Sequence, residues 1–198
     1  AGYDARSRTG IPGYDALHEL SVTLLRAELG DEANVLVAGV GTGEEIVRMA
    51  PANAGWRFVG VDPSPDMLTI AQDRVVAVGA SDRTDLIEGL VADLPLEPAF
   101  DAATLLLVMH FLPDDGAKLA LLRDIAARMK PGVPLLLADL YGDPASPAFD
   151  LLLAGWRQRV VDAVGDIPAV AESFARIRED ITFVPEARID ALLQQAGF

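Results

Sequence analysis

Three glycines and one aspartate form the clearest chemical pattern in this 198-residue sequence. Gly39, Gly41 and Gly43 directly follow the apolar run at residues 35–38, and a glycine lets the backbone approach a ligand because it has no Cβ. Asp62 ends a second apolar run 19 residues after Gly43. A carboxylate at about this spacing lies at the tip of the second strand, where it can accept hydrogen bonds from ribose hydroxyls. The pattern predicts a nucleoside-bearing cofactor across the first two strands.

A glycine-rich strand-to-helix turn without a ligand is the alternative interpretation. In that case Asp62 is an ordinary turn residue in front of Pro63. The presence of both features at the expected spacing favours the cofactor site.

His110 is the main candidate for acid–base chemistry. It follows residues 102–109, an apolar run that predicts the fourth strand, and it therefore lies at a strand end facing the expected pocket. A histidine packed at a strand end is the alternative. Asp139 and Tyr141, at the end of the predicted fifth strand, are further candidates. No metal site is predicted, because the two histidines and the absence of cysteine provide no ligand cluster.

Composition limits the classes of function. The length predicts one globular domain, and the absence of cysteine excludes disulfides and thiolate chemistry. A formal charge of −14 argues against nucleic acid as a partner. No apolar run is long enough to span a bilayer, and no leader is visible, so we expect a cytoplasmic protein without membrane contact. The sequence leaves a homodimer open.

Strands and helices are predicted to alternate along the first 140 residues, after an irregular segment at 1–12. This alternation predicts an α/β fold with a doubly wound, mostly parallel sheet of order 3-2-1-4-5 and helices on both faces. The predicted strands are 35–38, 56–61, 86–87, 102–109 and 134–140. The predicted helices are 14–29, 44–49, 63–78 and 114–130. Leucines 17, 20, 24 and 25 recur at helical spacing in the first of these.

Three more helices are predicted near the end of the chain, at 149–164, 168–180 and 185–196. The first two form a helical insertion after strand five, at residues 146–181, within a single domain that covers residues 1–198. Ligands bind at the carboxyl ends of such sheets, so the insertion is a candidate cap over the substrate. Simple packing on the sheet is the alternative.

Four motifs in this order resemble those of class I S-adenosylmethionine-dependent methyltransferases. They lie at residues 38–43, 61–68, 93–96 and 121–132. Within that superfamily the sequence is most similar to the carboxy-S-adenosylmethionine synthase branch. The similarity to this branch rests on residues 12–14, 87–89, 110–112, the helical insertion and the terminal residues 195–198.

The resemblance implies a role for each matching residue. Those under the methionine and ribose parts of the cofactor would be Gly39, Val40 and Gly41, and Asp62 would hold the ribose hydroxyls. The residues around the adenine would be Pro63, Met67, Leu90 and Val91, with the Val91 backbone N–H reading a ring nitrogen. Leu106 would meet the cofactor from strand four, and Tyr14 would close over it. Phe111 would line the substrate side.

The sequence departs from the family pattern at four places. Leu90 stands where most relatives have an adenine-binding acid, and Asp93 lies three residues later. Leu106 is polar in the carboxy-cofactor branch. The arginine with which that branch grips the extra carboxylate falls on Ala175, with Arg176 beside it. The terminal antiparallel strand pair of the family is missing or truncated, because the sequence ends at residue 198.

The resemblance implies methyl transfer from S-adenosylmethionine to a small-molecule acceptor, with S-adenosylhomocysteine as the product. Since the cofactor carries its own leaving group, the protein would mainly orient the reactants and exclude water. Phe149, Trp156 and Phe174 of the insertion would line the acceptor pocket. The alternatives are a carboxy-S-adenosylmethionine synthase-like tRNA-modification enzyme and a non-catalytic cofactor-binding module. A nicotinamide oxidoreductase is a further rival, but the turn lacks the third glycine at the spacing it needs.

Overall fold

Five parallel strands form one sheet in a computed structural model that describes residues 3–97 and 99–198. The strand order is β3-β2-β1-β4-β5, which confirms the predicted doubly wound fold. The strands are β1 (Glu32–Ala38), β2 (Gly55–Asp62), β3 (Thr84–Glu88), β4 (Ala102–Leu106) and β5 (Leu135–Ala138).

Eight α-helices surround this sheet in the described part of the chain. They are α1 (Tyr3–Gly10), α2 (Tyr14–Glu28), α3 (Glu44–Met49), α4 (Pro65–Ala77), α5 (Ala117–Ala126), α6 (Pro147–Val164), α7 (Ile167–Asp180) and α8 (Glu186–Ala196). Short 3-10 turns occur at Ala50–Ala52, Ser81–Arg83, Val91–Asp93 and Met109–Phe111. No described helix has the length and apolar character that a bilayer span requires.

The central strand β1 is buried on both faces, which explains its unbroken apolar sequence. Val35 and Val37 face a cluster with residues of α2, α3 and α4, whereas Leu36 and Ala38 face a cluster with residues of α5 and α8. All four side chains are at most 1% exposed. The alternation follows from the two-residue period of a strand. Because β1 is the central strand of the five, its carboxyl end lies in the middle of the sheet edge.

The fourth strand is shorter than predicted. It ends at Leu106 instead of residue 109, because Leu107 adopts a φ of 61° and the chain leaves the sheet. Few non-glycine residues adopt a positive φ, and such strain persists only where surrounding contacts impose it. The Leu107 N–H donates to the Ala138 carbonyl at 2.7 Å, and the 3-10 turn Met109–Phe111 follows.

Two neighbouring elements are also shorter than their apolar patterns predict. The predicted helix at 114–130 is α5, Ala117–Ala126, because the following residues pair with the chain at Phe100. The Phe100 N–H donates to the Arg128 carbonyl, and the Lys130 N–H donates to the Phe100 carbonyl. The fifth strand covers only Leu135–Ala138 of the predicted 134–140.

The prediction of an irregular segment at residues 1–12 is wrong for residues 3–10, which form α1. Residues 11–12 lie in a turn, and residues 1–2 lie outside the described residues. Polar contacts with the core hold this helix. Asp4 accepts from the Thr42 hydroxyl and pairs with Arg74 at 3.0 Å, and Arg8 pairs with Glu44 at 2.7 Å. The helix has no apolar periodicity, so a pattern search could not find it.

The leucine pattern of α2 predicts the wrong buried face. Its buried residues are Tyr14, His18, Ser21 and Leu25. Leu20 and Leu24 are 61% and 56% exposed. The buried face of α2 is therefore the one that starts at Tyr14, and Leu25 is the only one of the four leucines buried on it.

We expect Leu25→Ala to lower the free energy of unfolding by about 2–5 kcal/mol, because it removes a side chain that is 1% exposed. Leu24→Ala is the matched control, and its effect should stay within about 0.5 kcal/mol. Urea denaturation of both variants measures the difference. Equal losses would contradict the face assignment.

Candidate cofactor and active site

The glycine turn is tied directly to the end of β2. The backbone N–H groups of Gly39 and Val40 both donate to the Val61 carbonyl, at 2.8 and 3.0 Å. The Gly43 N–H donates to the Val40 carbonyl at 2.8 Å and closes the turn. Gly39, Gly41 and Gly43 all have positive φ angles, of 73°, 50° and 79°, a conformation that glycine adopts at little cost.

The three glycines have different surroundings. A Cβ on Gly39 would lie 2.4 Å from Cγ2 of Val108, and a Cβ on Gly43 would lie 3.2 Å from the Ala71 Cβ. A Cβ on Gly41 would meet no atom within 4 Å. Packing therefore excludes a Cβ at Gly39 and leaves little room for one at Gly43, whereas the bare backbone at Gly41 faces open space that a ligand can enter.

Asp62 points at this turn. Its Oδ2 accepts a hydrogen bond from the Gly41 N–H at 2.9 Å, and its Oδ1 accepts one from the Ser64 N–H at 2.9 Å. A carboxylate has about four acceptor positions, so roughly two remain available. The structure thus brings together Gly41 and Asp62, the two residues that the sequence selected for their spacing.

The loop after β3 lies beside Asp62. The Gly89 N–H donates to the Asp62 carbonyl at 3.1 Å. Asp93 Oδ2 accepts from the Leu90 N–H at 2.8 Å, so this carboxylate organises its own loop. Leu90 is 60% exposed and Val91 is buried. Val91 begins a 3-10 turn, and its N–H therefore has no acceptor within that turn.

Pro63 and Met67 mark the start of α4. Pro63 is exposed and Met67 is half-buried. The Ser64 hydroxyl accepts from the Met67 N–H at 3.4 Å and caps the helix. Asp62 and Ser64 therefore fix this helix start beside the glycine turn.

The carboxyl end of β4 completes this part of the site. Val37 of β1 pairs with Thr104, so Leu106 reaches the level of Gly39. Leu106 is 6% exposed. The turn at Leu107 then directs Val108 against Gly39.

His110 and Asp139 form a buried pair at the ends of β4 and β5. His110 Nδ1 is hydrogen-bonded to Asp139 Oδ1, and each side chain is 4% exposed. Lys118 of α5, 1% exposed, donates from Nζ to the Met109 carbonyl. Burial lowers the pKa of Lys118, and the nearby charge of Asp139 opposes this shift. Two sequence candidates thus meet, whereas Tyr141 is 55% exposed.

Lys118 could not be identified from the sequence as a site residue. It lies in a helix of mixed polarity, where a lysine is normally solvated. It is buried because α5 packs against the 3-10 turn that contains His110, a tertiary contact that the sequence does not show.

Tyr14 of α2 is buried near the glutamates that follow the glycine turn. It is 7% exposed, its ring packs edge-on against His18 at 4.5 Å, and the Arg8 guanidinium lies 5.6 Å from the ring centre. Burial raises the pKa of Tyr14, and the charge of Glu44 adds to this effect. His18 is a packing residue, and burial lowers its pKa to about 4.

Two adjacent glutamates at the start of α3 have opposite environments. Glu44 is bound by Arg8, Arg48 and Arg74. Burial would raise the pKa of Glu44, but the arginines hold it below its ordinary value. Glu45 has no such cations, and burial raises its pKa to about 8.

The inserted helices are connected to α1. Trp156 Nε1 donates to the Gly10 carbonyl, and the Trp156 ring packs edge-on against Phe174 at 5.0 Å. Phe149 is 6% exposed and packs against Phe183 at 4.9 Å. The aromatic residues expected in the acceptor pocket thus join structural elements to one another.

Phe111 and Arg176 are both largely exposed. The resemblance implies that Phe111 lines the substrate side, and Arg176 lies beside the position of a carboxylate-binding arginine. Phe111 is 61% exposed, with its ring centre 4.1 Å from that of His110. The Arg176 side chain is 62% exposed and lies 3.9 Å from Glu172 on the same helix.

Two surface clefts lie at the opposite, amino end of the strands. A cleft of about 490 Å³ borders Glu32 and Pro134, and one of about 360 Å³ borders Arg57 and Thr84. Neither is lined by Asp62 or His110.

Comparison with known proteins identifies the class. Residues 36–135, about half of the chain, match the family described as "Methyltransferase domain". The chain belongs to this family and is an S-adenosylmethionine-dependent methyltransferase with the class I fold. This family, and not a nicotinamide oxidoreductase, accounts for the glycine turn.

Its curated relatives include two methyltransferases, whose names refer to demethylmenaquinone and to ubiquinone biosynthesis. Demethylmenaquinone methyltransferase of Lactiplantibacillus plantarum is 26% identical over 201 residues, which are 94% of this chain and 83% of that protein. Ubiquinone biosynthesis O-methyltransferase of Xanthomonas campestris pv. campestris is 31% identical over 121 residues. That match covers 60% of this chain and 48% of the relative, so this chain aligns with only about half of the longer enzyme.

Solved structures have the same fold. The YcgJ protein of Bacillus subtilis has a TM-score of 0.66 at 21% identity, over 92% of this chain and 68% of that chain. CalS10, an amino pentose methyltransferase of Micromonospora echinaspora solved with bound S-adenosylmethionine, has a TM-score of 0.57 at 26% identity. That match covers 70% of this chain and 56% of CalS10. None of these matches singles out the carboxy-S-adenosylmethionine synthase branch.

Alanine at Gly39 and at Gly41 should have different effects. Both substitutions strain a positive φ, but only the Gly39 Cβ collides, with Val108. We expect Gly39→Ala to lower the free energy of unfolding by about 1–3 kcal/mol more than Gly41→Ala does. Gly41→Ala should instead mainly weaken S-adenosylhomocysteine binding. Urea denaturation and calorimetry measure the two quantities, and equal stability losses would contradict the packing difference.

Proposed function

We propose that this chain transfers a methyl group from S-adenosylmethionine to a small molecule with an ionisable hydroxyl group. The observation that carries this proposal is the buried His110–Asp139 pair, which lies along the same sheet edge as Asp62 and the glycine turn. The names of the relatives, which refer to demethylmenaquinone and ubiquinone biosynthesis, support a small acceptor of this kind.

The residues of the glycine turn fit the cofactor. Asp62 retains about two acceptor positions for the two ribose hydroxyls, and the turn is open on the side of Gly41. Gly39 and Val40 would lie under the ribose and methionine parts. When bound, S-adenosylmethionine supplies an electrophilic methyl group on a sulfonium that leaves readily.

Apolar residues and one backbone group would surround the adenine. Leu90, Pro63 and Met67 provide the apolar contacts, and the Val91 N–H is available to a ring nitrogen. Since Asp93 is bonded to the Leu90 N–H, adenine recognition here would not depend on a carboxylate. Tyr14 and Leu106 would complete the enclosure, and both are buried, as is Val91.

His110 would act as the general base. Asp139 would keep a proton on Nδ1 and so leave Nε2 to take the proton of the acceptor hydroxyl. Lys118 lies near Asp139, whose charge opposes the effect of burial on the pKa of the lysine. Correct placement of the two reactants can account for roughly 7–11 kcal/mol of the barrier reduction.

The helical insertion, residues 146–181, would form a cap above the acceptor. Trp156 connects α6 to the end of α1, and α1 in turn is bound to Glu44 and Thr42 at the glycine turn. The cap and the cofactor turn are therefore linked through one helix. The single domain would thus comprise the sheet, its flanking helices and this cap.

Among the residues that the structure describes, neither alternative function has structural support of its own. A carboxylated cofactor would need a cation on the inserted helices, and Arg176 there is exposed and close to Glu172. A non-catalytic module would not require the buried His110–Asp139 pair.

His110→Ala should leave S-adenosylhomocysteine affinity unchanged and lower methyl transfer by roughly 10²–10⁴-fold, as expected for loss of a general base. The assay measures S-adenosylhomocysteine release with a panel of small catechols and hydroquinones. Asp139→Asn should also lower the rate, because the histidine loses its orienting carboxylate.

His18→Gln serves as the control, since the other histidine is a packing residue beside Tyr14. It should retain catalysis in proportion to its folded fraction. Full activity in His110→Ala, with any accepted substrate, would contradict the proposed base.

A further inference from the structure

Two buried polar side chains lie beneath the glycine turn without hydrogen-bond partners. Glu45, two residues after Gly43, is 7% exposed, and its Oε1 has no partner among the described residues. Thr104 of β4 is 1% exposed, and its Oγ1 lies beside Glu45 without a hydrogen bond of normal geometry. Buried polar atoms are nearly always paired, so two such atoms on one side of the sheet point to a missing group.

The position of these side chains relates them to the proposed cofactor site. Thr104 pairs in the sheet with Val37, two residues before Gly39, so it lies close to the carboxyl end of β1. Glu45 also lies near enough to Tyr14 of α2 for its charge to raise the pKa of that side chain. Glu45 is therefore surrounded by the glycine turn, β4 and Tyr14.

The chemistry of Glu45 indicates what the missing group must be. The neighbouring Glu44 is satisfied by three arginines, whereas Glu45 has no ion pair within the part of the chain that the structure describes. Burial raises the pKa of Glu45 to about 8, the hydrogen-bonding interaction with the Thr104 hydroxyl beside it opposes this shift, and the charge of Glu44 adds to it. A buried carboxylate without a cation is unfavourable in its charged form. The group that would satisfy it is a cationic hydrogen-bond donor.

We propose that Glu45, with the Thr104 hydroxyl beside it, accepts the α-ammonium group of the methionine part of S-adenosylmethionine. This assignment rests on the proposed function. An ammonium group has three N–H donors and matches one carboxylate and one hydroxyl oxygen. No bond is formed or broken. Near pH 7 the Glu45 proton is released to solvent as the ammonium group binds.

The test compares two ligands that differ in the amino-acid part. S-adenosylhomocysteine carries the ammonium group, and 5′-methylthioadenosine lacks it. Glu45→Gln should weaken binding of S-adenosylhomocysteine roughly 10- to 100-fold, the loss expected for a charge-assisted bond. It should leave binding of 5′-methylthioadenosine unchanged. Decarboxylated S-adenosylhomocysteine, which keeps the amine, should follow S-adenosylhomocysteine.

Proton release provides a second readout. Calorimetry at pH 7 in buffers of different ionisation enthalpy should show that the wild-type protein releases close to one proton per S-adenosylhomocysteine bound. Glu45→Gln should release almost none, and the exposed control Glu28→Gln should match the wild type. Glu45→Leu is a second variant, free of the buried polar atom, and should show the same selective loss if Glu45→Gln folds poorly.

The outcomes are distinguishable. If Glu45→Gln or Glu45→Leu binds S-adenosylhomocysteine as tightly as the wild type, the ammonium assignment is wrong and the proposed function stands. Equal weakening of both ligands would show that Glu45 supports the fold only, and would also overturn the assignment. If the wild-type protein binds neither ligand, the proposed function itself fails.

Discussion

The Asp62 carboxylate is the interaction on which this site depends. One oxygen accepts from Gly41 in the turn after β1, and the other accepts from Ser64 at the start of α4. A single side chain therefore joins the tips of two parallel strands and the helix that follows. Because each oxygen retains a free acceptor position, the group that fixes the turn can also bind a ligand. The fold of the turn and the proposed recognition of the cofactor thus depend on the same atoms.

The turn at Leu107 separates the two halves of the site and positions both. Its positive φ ends β4 early and directs Val108 against Gly39 on the cofactor side. Three residues later, His110 reaches Asp139 at the end of β5, on the proposed acceptor side. Strained backbone is often found where surrounding structure must hold functional groups in place. One unfavourable residue conformation here accounts for the placement of the glycine turn relative to His110, the proposed base.

The strand order and the approach of Asp62 to the glycine turn could be predicted from the sequence, because strand spacing and parallel topology determine which residues meet at the sheet edge. The shared position of His110 and Asp139 at neighbouring strand ends followed from the same rule. The different environments of the Glu44 and Glu45 side chains could not be predicted. Successive helical residues point about 100° apart, so one meets three arginines and the other faces Thr104. The Leu107 turn, the polar helix α1 and buried Lys118 likewise depend on tertiary contacts that leave no local pattern.

Calorimetry of S-adenosylhomocysteine binding to Asp62→Asn decides whether the Asp62 carboxylate holds the cofactor. Asn keeps the shape but has only one acceptor oxygen, so it cannot serve the turn and the ribose hydroxyls together. We expect Asp62→Asn to bind S-adenosylhomocysteine roughly 10- to 100-fold more weakly. The exposed control Asp66→Asn should keep the wild-type affinity. Wild-type affinity in Asp62→Asn, with the variant folded, would contradict the claim that this carboxylate holds the cofactor.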